Sequence, residues 1–220
     1  MEMLSQNAKN GWERPIYFAV TVGNDYYLGL EPYFELTGLA YQVTPKRSAN
    51  GQPRVNTEKM YENMMHKFQY GNMNLPGIYI DENLMRMCRT HRMMFMELAE
   101  ALFREGKRDQ AREVLDYAEE QLPGYNVPYD YTSASMASVY YALGTDDDKA
   151  KADAIMDKVA NNCVEYLNWG AQLNKQQRAA ANSTLGHQSA VLGYILQNLD
   201  RYHRDELFDK YYDTYAIFAK

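Results

Sequence analysis

The spacing of apolar residues changes near Thr57 and divides the chain into two parts. Before that point, the runs at 15–22 and 39–45 are rich in β-branched and aromatic residues and are bounded by turn formers, a pattern that predicts short strands. The first run is far shorter than the roughly 18 apolar residues that a membrane-crossing helix needs. We therefore expect strands only within the first 45 residues.

The remainder of this N-terminal part is predicted to be irregular. Residues 31–38 predict one or two helical turns, with Pro32 near their start. Residues 46–56 are polar and rich in turn formers, which predicts an exposed loop. Residues 1–56 are thus expected to form a strand-and-loop segment that packs on the helices that follow.

Side chains in a strand alternate between its two faces, so Ile16, Phe18 and Val20 should share one face. We expect this face to pack on the helices, because no other apolar partner is evident nearby in the sequence. Trp12 and Arg14 come directly before the strand.

From Thr57 onwards, apolar residues recur every three or four positions, as in amphipathic helices. Gly106 and Gly144 are typical helix-ending glycines. The predicted helices span 57–70, 82–105, 107–122, 131–143, 146–169, 174–199 and 203–219. The sequence therefore predicts a mainly α protein in which residues 57–220 form successive antiparallel helix pairs.

The segment FMELAEALFREGKRDQAREVLDYAEEQLP, residues 95–123, resembles a tetratricopeptide repeat. The matching positions are Phe95, Leu98, Ala99, Leu102, Gly106, Ala111, Leu115, Ala118 and Pro123. Its alanines let two helices approach closely, and its larger residues wedge between neighbouring pairs. The next helix pair keeps part of the pattern, at Ala137, Ser138, Tyr141 and Ala150. The resemblance implies an α-α superhelix of tetratricopeptide-like helix pairs with a short N-terminal β segment.

In proteins of that type, the first helix of each pair lines a concave face. Some residues of these first helices lie outside the apolar face that packs on the second helix of the pair. They are Met93, Met96, Glu100, Phe103, Arg104, Thr132, Ser135 and Val139. They form a mostly apolar surface, which predicts a groove for a protein or peptide partner. The alternative is that another part of the same chain fills the groove.

A second resemblance covers the whole chain. NGWERPIYFAVT, LEPYFELTGLAYQVTPKR, KMYENMMHKFQYGN and the helix pair after YIDENLMRM are similar to the C-terminal region of a bacterial family of multi-pass membrane proteins. The membrane part of that family resembles protein O-mannosyltransferases, and its C-terminal part is a tetratricopeptide-like domain on the periplasmic side. The resemblance implies that this chain is a fragment, that Met1 is close to an artificial start, and that Trp12 and Arg14 lie near the junction with the membrane part.

The net charge, the N-terminal residues and the cysteines bear on which classes of function fit this chain. A net charge of −6 argues against nucleic-acid binding, which normally uses a basic surface. No signal peptide is recognisable at the N-terminus. Cys88 and Cys163 each fall on the apolar side of a helical pattern, so buried free thiols are expected, with a single disulfide as the alternative.

Candidate chemistry is sparse. The four histidines are scattered, and although Cys88 and His91 share a helix face, no second pair of ligands completes a zinc site. Asp146, Asp147 and Asp148 follow a glycine and open a helix, which favours capping over metal binding. We therefore expect no metal, no cofactor and no catalytic residue in this chain.

Two functions follow from these observations. The first is a non-catalytic interaction domain on the periplasmic side of a glycosyltransferase-like membrane protein, where it positions a protein partner or acceptor. The alternative is a freestanding cytoplasmic adaptor of the tetratricopeptide type that binds peptides.

Overall fold

The computed structural model describes residues 2–218. The protein is mainly helical with a small N-terminal sheet, as the sequence predicts. It contains two compact units, Met1–Leu122 and Pro123–Lys220. The predicted boundary at residue 56 falls inside the first unit.

The first unit begins with a helix that the sequence did not indicate and continues into a four-stranded sheet. These elements are α1 (Glu2–Lys9), β1 (Tyr17–Ala19), β2 (Phe34–Leu36), β3 (Ala40–Val43) and β4 (Arg54–Val55). The strand order is β1-β3-β2-β4, with β3 antiparallel to β1 and β2, and with β2 parallel to β4.

The predicted helical turn with Pro32 near its start is confirmed at Glu31–Tyr33, which forms a 3₁₀ turn. The chain then becomes strand β2, because Phe34 and Leu36 alternate into the core. The expectation of strands only within the first 45 residues is wrong, because strand β4 lies beyond residue 45, within the predicted loop. Strand β4 forms through pairing with β2, a contact between distant segments that local composition does not encode.

A cluster of mostly aromatic side chains covers the sheet, and we call it the aromatic cluster. Its buried members are Tyr27, Phe34 and Val43, and Ile16 and Phe18 pack against them. The ring centroids of Phe18 and Phe34 are 5.1 Å apart, and those of Tyr27 and Phe34 are 5.0 Å apart. The β1 face that carries Ile16 and Phe18 therefore has the local partners that the sequence expectation overlooked.

Three further helical segments complete the first unit. They are α2 (Thr57–Tyr61), which continues as a π-helical segment at Glu62–Lys67, α3 (Glu82–Arg104) and α4 (Arg108–Gln121). Asp81 caps α3, since its side chain accepts a hydrogen bond from the backbone N–H of Leu84 at 2.8 Å. Gly106 follows α3 with a φ of +78°, a conformation that favours glycine.

The second unit consists of four helices in sequence. They are α5 (Tyr131–Leu143), α6 (Asp146–Ala171), α7 (Lys175–Arg201) and α8 (Asp205–Phe218). Each helix packs against the next one in the chain. Their bounds lie within two residues of the prediction, apart from the predicted end of the last helix at residue 219, which lies outside the described residues.

Two other expectations concern the whole chain. Cys88 and Cys163 are both free and buried, as expected. Among residues 2–218, no helix has both the length and the apolar character that crossing a bilayer requires.

The first prediction tests the contact between α3 and α4. Ala99, Ala111 and Ala118 are buried in this unit. Replacing Ala111 by Leu adds volume where the site has no space, and we expect a loss of about 1–3 kcal/mol in the free energy of unfolding, measured by chemical denaturation. Ala190→Leu at an exposed position is the control, and an equal effect of both changes would contradict this packing.

The second prediction compares two helical glycines. A Cβ at Gly170 of α6 would lie 2.8 Å from Cδ1 and 3.2 Å from Cγ of the buried Leu185, whereas a Cβ at Gly186 of α7 meets nothing within 4 Å. Gly186→Ala should stabilise the protein by about 0.5–1 kcal/mol through helix propensity. Gly170→Ala should instead lower the melting temperature, because overpacking outweighs that gain. Equal stabilisation by both changes would show that α6 and α7 do not approach closely at Gly170.

Candidate functional site: a polar pocket beside the N-terminal sheet

The first unit contains a pocket of about 800 Å³ between the sheet and the helices. We call it the polar pocket. Its lining residues are Tyr17, Thr37, Asn56, Thr57, Glu58, Lys59, Tyr61, Glu62, Asn63, His66, Lys67, Leu102, Lys107 and Gln110. Strand β1, the start of α2, the π-helical segment and the α3–α4 turn therefore all contribute to it.

Hydrogen bonds at Glu105 fix the start of α2 to the α3–α4 turn. The hydroxyl of Thr57 donates to Oε2 of Glu105 at 2.8 Å, and Nζ of Lys107 lies 2.7 Å from the same oxygen. Burial alone would raise the pKa of Glu105, but the hydrogen bonds from Lys107 and Thr57 outweigh it and hold the pKa below its ordinary value. The carboxylate is therefore the charged form at neutral pH, and it holds two segments together.

The π-helical segment shapes the opposite wall of the polar pocket. The N–H of Phe68 donates to the carbonyl of Asn63 at 2.8 Å, which is the wide spacing of a π turn. The side-chain amide of Asn63 donates to the carbonyl of Thr37 at 2.7 Å and ties this turn to the sheet. π turns of this kind are frequent at functional sites, and this one contributes His66 and Lys67 to the lining.

Tyr61 anchors the same wall to α4. Its hydroxyl donates to Oε2 of Glu113 at 2.5 Å. Burial and the neighbouring Glu113 carboxylate raise the pKa of Tyr61 to about 12, so the phenol stays neutral.

The charged lining of the polar pocket is largely paired. Lys59 donates to the amide oxygen of Gln42 at 3.3 Å, and Lys67 pairs with Glu62 at 3.5 Å. Within the described part of the chain, four lining side chains form no hydrogen bond with protein atoms: Tyr17, Glu58, His66 and Gln110. These groups offer hydroxyl, carboxylate, imidazole and amide chemistry to a polar ligand.

The second unit has a separate pocket of about 810 Å³ with acidic walls. Asp153 accepts hydrogen bonds from Nε of Arg204 and from the hydroxyl of Tyr141, at 2.8 and 2.7 Å. Asp157 accepts from Lys210 and from the hydroxyl of Tyr211, both at 2.6 Å. These carboxylates are engaged in bonds that join α6 to α5 and to the segment around α8.

The predicted groove residues are divided between the two units. On α3, Met93 and Arg104 are exposed, whereas Met96, Glu100 and Phe103 are half-buried. Arg104 pairs with Glu100 at 3.2 Å, and the guanidinium of Arg108 lies 5.1 Å from the ring centre of Phe103. In the second unit, Thr132 is half-buried, and Ser135 and Val139 are buried. The groove as a whole stays a prediction.

The predicted junction residues lie beside the aromatic cluster. Trp12 packs against the cluster and has a φ of +62°, an unusual conformation for a side chain of this size. Arg14 is exposed, and its carbonyl accepts a hydrogen bond from the buried Asn7 side chain at 2.7 Å. Their contact with a membrane part stays a prediction.

The acidic run lies in the first turn of α6, and the expected capping role is confirmed for Asp148. Thr145 is the N-cap, and it exchanges hydrogen bonds with the buried Asp148, at 3.1 and 3.2 Å. Asp146 and Asp147 pair with lysines in the next turn. Nowhere in residues 2–218 do three His, Cys, Asp or Glu side chains meet in a way that could hold a metal ion.

The sequence did not single out the members of the polar pocket. Tyr17 was assigned only to a strand, and His66 was grouped with scattered histidines. The stretch from Asn56 to Lys67 is notably polar, but that pattern also suits an exposed helix face. The pocket depends on the π turn, and no residue type in this segment predicts that turn.

One comparison with known proteins gave a match. The family model of TMEM260-associated domain 2 matches residues 1–63, which comprise α1, the sheet, α2 and the first two residues of the π-helical segment. No curated protein and no solved structure matches the chain. The matched segment contributes most of the lining of the polar pocket.

The third prediction concerns the pH dependence of stability. Burial alone would raise the pKa of Asp157, but hydrogen bonds from Lys210 and Tyr211 lower it below its ordinary value. The paired carboxylate therefore stabilises the folded state at pH values above the pKa of an unfolded aspartate, and this contribution is lost as the pH falls through the native pKa.

We expect Asp157→Asn to lower the free energy of unfolding by about 1–2 kcal/mol at pH 7, with a difference that shrinks on acidification below pH ~4. Denaturant titrations across this pH range provide the measurement. Asp213→Asn on the exposed face of α8 is the control and should show neither effect. A deficit in the Asp157 variant that stays constant down to pH ~2 would contradict the assignment.

Proposed function

We propose that this chain is a non-catalytic, extramembrane domain of a glycosyltransferase-like membrane protein, where it positions a protein partner or acceptor. The observation that carries the proposal is the match of residues 1–63 to a TMEM260-associated domain, which is compatible with a domain of a membrane protein. The resemblance of several segments to a bacterial membrane protein family with a periplasmic C-terminal domain supports the finer assignment.

The interlocking of the matched segment with the first helix pair also supports the proposal. Thr57 and Tyr61 belong to the matched segment, and they bond to Glu105 beside α3 and to Glu113 of α4. A segment joined in this way transmits a fixed position to the helices behind it.

The exposed side of α3 offers a surface for the partner. Met93 is 39% exposed, and Met96 and Phe103 beside it are half-buried. Methionine side chains adapt their shape and are common on surfaces that bind variable peptides. On this proposal the catalytic residues lie in the membrane part, and this chain contributes binding.

The fourth prediction tests location and partner in the full-length protein. We expect the chain to fractionate with membranes and to be cleaved by protease added to spheroplasts from outside. A photocrosslinking residue in place of Met93 should capture a protein, whereas the same residue in place of the exposed Asp213 on α8 should not.

Two results would contradict the proposal. Synthesis of this chain as a separate cytoplasmic polypeptide would favour the peptide-binding adaptor instead. Sugar transfer or hydrolysis by the purified chain alone would show that the domain is itself catalytic.

A further inference from the structure

A second, smaller pocket in the first unit is lined by side chains whose sulfur and nitrogen atoms could bind a metal ion. It has a volume of about 240 Å³ and lies between the first half of α3 and the loop after the π-helical segment. Four of its lining residues carry sulfur or imidazole nitrogen: Met73, Met87, Cys88 and His91. We call this the sulfur pocket.

The fold brings these residues together from two segments. Met87, Cys88 and His91 occupy two successive turns of α3, with Met87 and His91 four residues apart and therefore on one face. Met73 comes from the loop, 14 positions before Met87 in the sequence. Methionine has three rotatable side-chain bonds, so both thioethers can turn towards a common centre.

A hydrogen bond at His91 favours the tautomer of the imidazole that can bind a metal through Nε2. Nδ1 of His91 lies 2.7 Å from the carbonyl oxygen of Met87. A carbonyl can only accept, so Nδ1 carries the proton and Nε2 of the neutral ring keeps its lone pair. Histidines that bind metals commonly donate their other nitrogen to a backbone carbonyl in this way. The edge-on ring of Tyr70, 5.6 Å away, packs against the same imidazole.

The surroundings discriminate between classes of metal ion. Cys88 is 3% exposed and Leu122 is 1% exposed, so this part of the sulfur pocket is shielded from water, whereas Met87 is 41% exposed. No carboxylate lines it, which removes the ligands that Mg²⁺ and Ca²⁺ prefer. Only two of its residues belong to the Cys, His and carboxylate set that structural zinc sites use. Thioether and thiol sulfur instead favour Cu(I).

We propose that the sulfur pocket binds one Cu(I) ion through the thioethers of Met73 and Met87, Nε2 of His91 and the sulfur of Cys88. The thiol releases its proton to solvent when its sulfur ligates, and the oxidation state of the metal does not change. This inference goes beyond the proposed function and does not depend on it. It reverses the sequence-based expectation that no metal binds, because that expectation counted histidine and cysteine but not methionine.

The fifth prediction is a competition titration of the full chain with Cu(I) under anaerobic, reducing conditions. Bicinchoninate serves as the competing chelator. The chain should withdraw one equivalent of Cu(I), and an excess of Zn(II) should not displace it. The double change Met73→Leu and Met87→Leu keeps side-chain volume, so the fold should survive while Cu(I) affinity falls by about tenfold or more. His91→Gln should produce a loss of similar size.

Matched controls separate the sulfur pocket from other soft groups. Met93→Leu removes an exposed thioether on the same helix that does not line the pocket, and it should leave affinity unchanged. Cys163→Ser removes the other thiol and should also leave it unchanged. X-ray absorption of the loaded protein should detect both sulfur and nitrogen neighbours, with fewer sulfur neighbours in the double methionine variant.

Three outcomes would overturn the proposal. The chain could fail to withdraw Cu(I) from bicinchoninate. The double methionine variant, folded by circular dichroism, could bind as tightly as the original, which would indicate only adventitious binding by surface thioethers. Cys163→Ser could abolish binding, which would place the metal at a different thiol.

Discussion

The close packing of α4 on α3 is the constraint on which the first unit depends. Small side chains at Ala99, Ala111 and Ala118 are buried there. The guanidinium of the fully buried Arg92 donates to the carbonyl of Leu122 at 2.8 Å. That carbonyl belongs to the end of α4, where backbone acceptors lack helical partners, so the buried cation satisfies a group that would otherwise be costly to bury. The α3–α4 pair is thereby held together by the contacts at its small residues and by the hydrogen bond at the end of α4.

Both pockets of interest in the first unit follow from this helix pair. The turn between α3 and α4 places Glu105 and Lys107 side by side, and Thr57 bonds to them. Segment 1–63 is thereby joined to helices outside its own length, and the polar pocket forms along that join. Beside the middle of α3, the aromatic rings of Tyr70 and Phe95 pack with centroids 5.4 Å apart, next to the loop that carries Met73.

In the second unit, hydrogen bonds at helix ends and between helices contribute to the packing. Three of its helices begin with capping boxes, at Asp130, Thr145 and Asn174, and carboxylates of α6 accept hydrogen bonds from Arg204, Lys210 and Tyr211. Burial with Asp157 as partner raises the pKa of Tyr211 to about 12, so its hydroxyl remains a donor at any physiological pH. Helix ends and helix contacts are thus fixed by directional bonds as well as by apolar area.

Apart from α1, the sequence by itself determined the helices of both units, because their periodicity, caps and glycine stops are local properties. Asp81 and Gly144 mark helix ends through interactions within a few residues, and the small residues of α3 and α4 predicted a close contact at which they are buried. Tertiary structure alone decided strand β4, the local partners of Ile16 and Phe18, and the π turn at Glu62–Lys67. Each of these features involves contacts between separate segments of the chain, and the pattern within a single segment does not reveal them. The same reason explains the sulfur pocket: Cys88 and His91 share a visible helix face, but Met73 joins them only when the chain folds back on α3.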